Sequence, residues 1–332
     1  MRNGRVFGLA ASAVALALAG CSGSERQETQ ATEAAQLAAC DRDCLIGVTE
    51  QYLAAVAQND PTAAPLARHI AFVENLERLQ PGEGLWQSAS GGPTQFSIHV
   101  PDVQKQQAGW LGVVEQNGEP VMVAVRLKLV DGQITEAEHI VTPPAQGNLQ
   151  NLQSVRPGLL ATIPQQDRLP YGELIRIGAT YYDALDDNDG SKTPFAADCQ
   201  RLENGMITAG EGVGPPPNWQ PGTPRTARDC AGQLDSQTFV YIDRIENRRM
   251  VAADPVTGLS MGFSHFRHPM DNLPYKVTNE DGSVSERTAE NMPWEPFDMP
   301  AAHIFKIGPD GLMREIEAVG VRMPYNSPTG WE

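Results

Sequence analysis

Basic residues are scarce in this sequence: 25 lysines and arginines stand against 41 aspartates and glutamates, a formal net charge of −16. Such an excess of negative charge repels phosphate backbones and anionic lipid headgroups. We therefore expect no nucleic-acid partner and no electrostatic attachment to a membrane, and a polyanionic substrate is disfavoured.

Motifs that hold cofactors are missing as well. The sequence has no phosphate-binding P-loop and no glycine-rich dinucleotide motif. The acidic run at 186–190 does not fit a calcium loop, because Leu185 and Ala196 occupy the first and twelfth ligand positions. We expect neither a cofactor nor a metal.

The longest apolar run is confined to the N-terminus. Arg2 and Arg5 precede an apolar stretch from Val6 to Leu18, which is the layout of a secretory signal. The stretch closes on Leu18-Ala19-Gly20-Cys21, which resembles the bacterial lipobox. The resemblance implies removal of residues 1–20 and lipidation of Cys21; an ordinary cleaved signal is the alternative.

The residue after the lipobox indicates to which membrane a bacterial lipoprotein is sent. Ser22 follows Cys21 where an inner-membrane retention signal would usually have Asp, so the resemblance implies an outer-membrane lipoprotein facing the periplasm or the cell surface. Loss of Arg2 and Arg5 makes the mature charge −18, so the acyl chains alone would hold the protein to the membrane. Residues 21–38 are polar and predict a flexible tether.

An internal repeat dominates the remainder. Residues 52–75 align without gaps with 181–204, and residues 127–138 align with 305–317 with one extra residue in the turn. In each copy a helix-like segment, Cys44 to Asn59 or Leu174 to Asn188, is followed by a short connecting stretch and then by strand-like runs of period two. We predict an α+β fold of two tandem cone-shaped domains, each a curved antiparallel sheet packed with N-terminal helices.

The repeat also sets the predicted domain limits. Copy one spans 39–142, a linker 143–170 and copy two 171–332. An inserted loop at 268–299 is expected to interrupt strand pairing where His265 and His303 approach each other. Four cysteines remain after lipidation, and local pairing of Cys40 with Cys44 and of Cys199 with Cys230 crosses no domain limit. A four-thiolate zinc site is the weaker alternative, because no Cys-x-x-Cys knuckle is present.

A helix ending in Asn-Asp, followed by Glu-Asn and then a curved sheet, resembles the nuclear transport factor 2-like, or SnoaL-like, superfamily. The segments 199–205 (CQRLENG) and 241–249 (YIDRIENRR) further resemble a bacterial and fungal secreted group within it, mostly of unassigned activity. The superfamily includes dehydratases, isomerases, epoxide hydrolases, cyclases and binding modules, so the resemblance implies a fold with a pocket but no particular reaction.

The two copies differ where their sheets should line such a pocket. In copy one the strand from Val121 to Val130 has an apolar face without a titratable group, which predicts a structural domain. Aligning Lys128 with Lys306 sets Val125 against His303. The strand from Leu259 places His265 and Arg267 on its apolar face by period two, and His268 on the other.

We therefore expect any chemistry in copy two. His303 and His265 are the candidate acid-base residues, with Tyr181 as a donor to the substrate; ordinary core packing is the alternative for each. The candidate substrate-binding residues are Arg267, Tyr182, Tyr241 and Trp294, the last on the inserted loop acting as a lid. Glu74 and Glu203, shared by the copies, are predicted to be buried structural carboxylates.

The predicted function is a cofactor-free lyase, isomerase or hydrolase acting on a small neutral, aromatic-alicyclic or sugar-like molecule. A non-catalytic envelope module that binds a ligand or a protein is the alternative. The sequence contains nothing that fixes the oligomeric state.

Overall fold

The computed structural model describes residue 1 and residues 39–145, 148–214 and 224–332. The predicted signal peptide, the lipidation site Cys21 and the predicted tether lie outside the described residues. Within the described part, no helix has the length and hydrophobicity that crossing a membrane requires.

Copy one consists of one long helix, one short helix and a seven-stranded sheet. The strands are ordered β2-β1-β7-β6-β5-β3 and β4 also pairs with β5. The elements are α1 (Arg42–Ala57), β1 (Leu66–Glu74), β2 (Glu77–Leu79), α2 (Leu85–Ser88), β3 (Ala89–Gly91), β4 (Ser97–Asp102), β5 (Gln107–Gln116), β6 (Glu119–Val130) and β7 (Gln133–Thr142).

Copy two repeats this plan after a connecting stretch that contains α3 (Pro157–Leu160). Its main sheet is ordered β10-β11-β14-β15-β8-β9, with β16 on β14, and β12 and β13 form a separate hairpin. The elements are α4 (Tyr171–Asp186), β8 (Phe195–Glu203), β9 (Met206–Ala209), α5 (Cys230–Asp235), β10 (Arg244–Asp254), β11 (Leu259–His268), β12 (Tyr275–Thr278), β13 (Val284–Arg287), β14 (Phe297–Ile307), β15 (Met313–Gly320) and β16 (Met323–Pro324).

The α+β prediction is confirmed, but both sheets are mixed rather than antiparallel. Strand β1 pairs parallel with β7, and β8 pairs parallel with β15. Sequence analysis treated the β1 segment as a connecting stretch because its burial does not alternate: the strand is exposed in its middle and buried only over its last three residues. A search for alternating apolar and polar residues does not detect such a strand.

The residues that the copies share have architectural roles. Asn59 and Asn188 end the first helix of each copy with φ of 56° and 48°, a left-handed conformation that Asn tolerates better than most residues. Asn75 and Asn204 also adopt positive φ; the Asn75 side chain exchanges two hydrogen bonds with Val141 of β7, and that of Asn204 exchanges two with Gly320 of β15. These pairs explain why the sequence repeat is visible.

The two sheets pack back to back. The cluster between them is made by β4, β5, β6 and β7 on one side and β10, β11, β14 and β15 on the other, with Leu152, Val155 and Leu159 of the connecting stretch at its edge. The approach is close, since a Cβ on Gly109 of β5 would collide with Met261 of β11. Residues 40–332 accordingly form one unit.

The inserted loop does not interrupt the sheet where it was expected to. Strands β11 and β14 pair without a break from Leu259–Lys306 to His268–Phe297, and the insertion leaves from the end of this hairpin. It contains β12 and β13 and has a small core of its own, formed by Tyr275, Val277 and Met292.

The predicted disulfide pairing is confirmed. Cys40 is bonded to Cys44, and Cys199 of β8 is bonded to Cys230 of α5 across 31 residues of sequence. On the chain-entropy view, closing a loop of that size stabilises the fold by roughly 3 to 4 kcal/mol.

Met261→Ala tests whether the copies fold as one body. Met261 is fully buried between the sheets, so truncation should lower the free energy of unfolding by about 2 to 5 kcal/mol. Val103→Ala, at a residue 47% exposed, should change it by less than about 0.5 kcal/mol. We expect one coincident urea transition by tryptophan fluorescence and circular dichroism; two transitions, only one of them shifted, would contradict a shared core.

Candidate functional site

A cavity of about 610 Å³ opens in copy two. It adjoins a second cavity of about 40 Å³ that is lined by His303. Four residues line both: Arg201, Glu203, Phe239 and Tyr241. The candidate site is the junction of the two cavities.

His303 lies inside the second cone, as its alignment with Val125 predicted. It is 1% exposed, and its Nδ1 lies 3.3 Å from the Tyr182 hydroxyl. The Tyr181 ring is 5.4 Å from the imidazole, centroid to centroid. Burial, assisted by the Arg201 charge, holds the pKa of His303 well below its usual value, so the imidazole is neutral at pH 7.

Sequence analysis did not identify Arg201, which is the main charged group of the site. This buried side chain donates to the Tyr181 hydroxyl at 2.7 Å, to Thr208 Oγ1 at 2.7 Å and to Glu203 Oε2 at 2.5 Å. Burial acts to lower its pKa, but Tyr181 and Glu203 outweigh burial and raise it. The sequence repeat could have identified it. The ungapped alignment sets Phe72 against Arg201, so an apolar residue is replaced by a titratable one, as Val125 is by His303.

Glu203 differs from its counterpart Glu74, although both were expected to be buried. The Glu203 side chain is 27% exposed and paired with Arg201. It is the only carboxylate among the described residues that line the two cavities. A partly exposed carboxylate held by one guanidinium can accept a proton from a bound molecule.

Tyr241 completes the junction. Within the described residues its hydroxyl has no hydrogen-bond partner, and burial raises its pKa, so the hydroxyl stays protonated and can donate. Its ring lies on that of His268, 5.4 Å between centroids.

His265 and Arg267 do not reach the site. They lie on the opposite face of β11, where His265 Nε2 is 3.3 Å from Asp298 and Arg267 pairs with Asp298 and Glu246 at 2.5 and 2.8 Å. The predicted grouping of His265 with His303 is therefore wrong. Both faces of β11 are buried, because one packs on copy one, and alternation cannot tell which face is inside the cone.

His268, expected to point away from the interior, is instead on the same face as Phe266 and stacks on Phe297 at 4.1 Å. Trp294, predicted as a lid residue, lines neither cavity; it contacts the Tyr241 ring and carries Arg322 4.9 Å above its own ring. The insertion contributes Arg287 to the larger cavity.

Copy one contains a buried histidine too, one strand away from the position considered in the sequence. Val125 pairs with His139 in the sheet, whereas His303 pairs with Ala318. The Tyr52 hydroxyl is 2.9 Å from His139 Nε2, and Nδ1 donates to Glu74 at 3.0 Å. Trp86 and Trp110 fill the space around this hydrogen-bonded chain.

The spacing Gly258-x-Ser260-x-Gly262 matches that of a hydrolase nucleophile elbow, which sequence analysis did not single out. Ser260 lies within β11, fully buried, and its hydroxyl has no hydrogen-bond partner in the described part of the chain. An elbow presents its serine on a turn, so this one is not a nucleophile elbow.

A protein-family profile described as "Domain of unknown function (DUF8021)" matches residues 167–320. No curated protein matches the chain.

Solved structures of low identity are similar to parts of it. A provisionally named polyketide cyclase from Silicibacter sp. has 13% identity and a TM-score of 0.27, covering 47% of this chain and 92% of its own. The epoxide hydrolase/cyclase-like enzyme SalBIII has 12% identity and a TM-score of 0.27, covering 45% and 92%. A provisionally named ketosteroid isomerase from Kribbella flavida has 13% identity and a TM-score of 0.24, covering 35% and 93%.

Proposed function

We propose that copy two is a cofactor-free acid-base site of the SnoaL-like type, which moves a proton on a carbon next to a carbonyl group. An isomerase or a lyase would use such a step. The observation that carries the proposal is the junction of the two cavities, where one carboxylate, Glu203, stands among the donors Arg201, Tyr241 and His303.

Glu203 is the proposed base. It is accessible from the larger cavity, and its hydrogen bond from Arg201 fixes the direction of the carboxylate. Removing a proton from carbon leaves negative charge on the neighbouring carbonyl oxygen, which needs donors that are already in place. Tyr241, with its free protonated hydroxyl, is the first of these.

His303 serves better as a neutral donor than as the base first expected. Its lowered pKa makes it a weak proton acceptor. We assign the Tyr182 hydroxyl as donor to Nδ1, which leaves the imidazole proton on Nε2. A neutral N–H can then stabilise the developing oxyanion without taking up a proton.

Glu203→Gln removes the base while preserving the shape of the side chain. We expect exchange of carbon-bound hydrogen for deuterium, followed by proton NMR in D₂O on a panel of small cyclic ketones and β-keto acids, to slow by at least about 100-fold. The exposed Glu77→Gln in copy one is the matched control and should exchange at the wild-type rate.

Equal exchange rates for Glu203→Gln and the wild type would eliminate Glu203 as the base. Absence of enzyme-dependent exchange with every probe that binds would instead favour the non-catalytic binding module.

The neutrality of His303 has a separate consequence for stability. Below the ordinary histidine pKa of about 6.5, this histidine becomes protonated in the unfolded chain but stays neutral in the folded protein. The contribution of His303 to the free energy of unfolding therefore falls as the pH drops below that value. His303→Val, which installs the copy-one residue, should abolish this loss. From pH 6.5 downward, the free energy of unfolding measured in urea should rise in the variant relative to the wild type by about 1.4 kcal/mol per pH unit. If the two free energies instead change in parallel with pH, folded His303 takes up the proton and the prediction is wrong.

We propose that the protein acts outside the cytoplasm as a lipoprotein. The two disulfides support this, because such bonds persist in oxidising compartments. Cys21→Ala should abolish incorporation of labelled palmitate and move the protein from the detergent phase to the aqueous phase, while Cys199 and Cys230 remain bonded. Labelling that survives in the variant would contradict lipidation at Cys21.

A further inference from the structure

The larger cavity is positively charged in an acidic protein. Among the described residues, four arginines line it, Arg201, Arg225, Arg228 and Arg287, against the single carboxylate of Glu203. The whole chain has 41 acidic and 25 basic side chains, so this local balance is opposite in sign to that of the molecule.

Two of the four arginines are compensated by carboxylates. Arg201 pairs with Glu203, and Arg225 pairs with Glu280 of the insertion at 3.1 Å. The other two are not. Arg228 donates to the main-chain carbonyl of Val213, and Arg287 has neither a hydrogen bond nor an ion pair within the described residues.

We propose that Arg228 and Arg287 hold the anionic group, a carboxylate or a phosphate, of a small organic ligand in this cavity. A guanidinium presents paired N–H donors that match these planar or tetrahedral anions, and the low-dielectric wall of a cavity strengthens the attraction. The inference rests on the proposed function, since it names the ligand class of the same site.

The fold fixes the two arginines from different segments. Arg287 is on β13 of the insertion, and Arg228 lies in the segment that leads into α5. The insertion is tied to that segment by a hydrogen bond from the Glu280 amide to the Arg225 carbonyl at 2.7 Å and by a bridge between Thr226 and Asn279. The insertion therefore supplies a charged wall of the cavity, in place of the aromatic lid that sequence analysis predicted.

The charge of the whole protein limits the ligand. Its overall −16 repels large polyanions, whereas one or two anionic groups can be neutralised at Arg228 and Arg287. Because Glu203 at the junction is itself negative, the anionic group belongs at the arginine side and the reacting carbon at the Glu203 side. A small keto acid or a phosphorylated ketone satisfies both requirements.

Calorimetric titration of the full mature chain tests the proposal with three probes of similar shape: benzoate, phenyl phosphate and neutral benzamide. We expect an anion to bind at least 10-fold more tightly than benzamide, with affinity falling as salt is raised. Arg287→Gln and Arg228→Gln should each weaken anion binding at least 5-fold. Arg314→Gln, at the start of β15 and paired with Asp198 and Asp310, is the control and should leave it unchanged.

The choice between benzoate and phenyl phosphate identifies which anion the arginines prefer. Benzamide binding as tightly as both anions, unchanged affinity in both arginine variants with wild-type melting temperatures, or no binding of any probe would overturn the inference. Glu203→Gln separates it from the proposed function: that variant should still bind the anion while losing deuterium exchange. If Glu203→Gln shows normal deuterium exchange and still binds the anion, Glu203 is not the base, but the anion site at Arg228 and Arg287 stands.

Discussion

The apolar core between the backs of the two sheets is the constraint on which the rest of the molecule depends. It joins copies that could otherwise have been independent domains, and it buries apolar side chains on the facing strands of both sheets. It also explains the position of His265: a histidine on the back of β11 lies next to Asp298 and lines a cavity of about 290 Å³ formed by residues of both copies, not the junction that contains His303.

The interiors of the two cones differ because the shared glutamate has different hydrogen-bond partners in the two copies. In copy one the Glu74 carboxylate accepts hydrogen bonds from His139 and from the Leu85 amide, and it is buried. In copy two the residue equivalent to His139 is Ala318, as the pairing of Glu203 with Ala318 shows. Glu203 therefore turns to Arg201, which replaces an apolar phenylalanine, and stays partly exposed. Hydrogen-bond competition for one carboxylate accounts for the difference between the copies.

The extra length of copy two is used at the mouth of its cavity. The segment before α5 is fastened to the fold by the disulfide between Cys199 and Cys230, and the insertion is hydrogen-bonded to that segment. Together they bring arginines to a surface that is elsewhere acidic. In this arrangement the sheet provides most of the junction residues, and the segment before α5 and the insertion provide Arg225, Arg228 and Arg287.

The sequence by itself determined the repeat, the two long helices, the strands β4 to β7, β10, β11, β14 and β15, the disulfide pairing and the inward position of His303, because each depends on local periodicity or on alignment between the copies. The shared Asn59 and Asn188 mark the end of the first helix in each copy, where the backbone is left-handed. Only the tertiary structure decided which face of β11 is interior, that β1 runs parallel to β7 and β8 to β15, and that Arg201, Glu203 and Tyr241 meet. Those outcomes depend on how the two sheets pack. A strand that is buried on both faces has no alternation of apolar and polar residues to show which face lines the cone and which lies between the sheets.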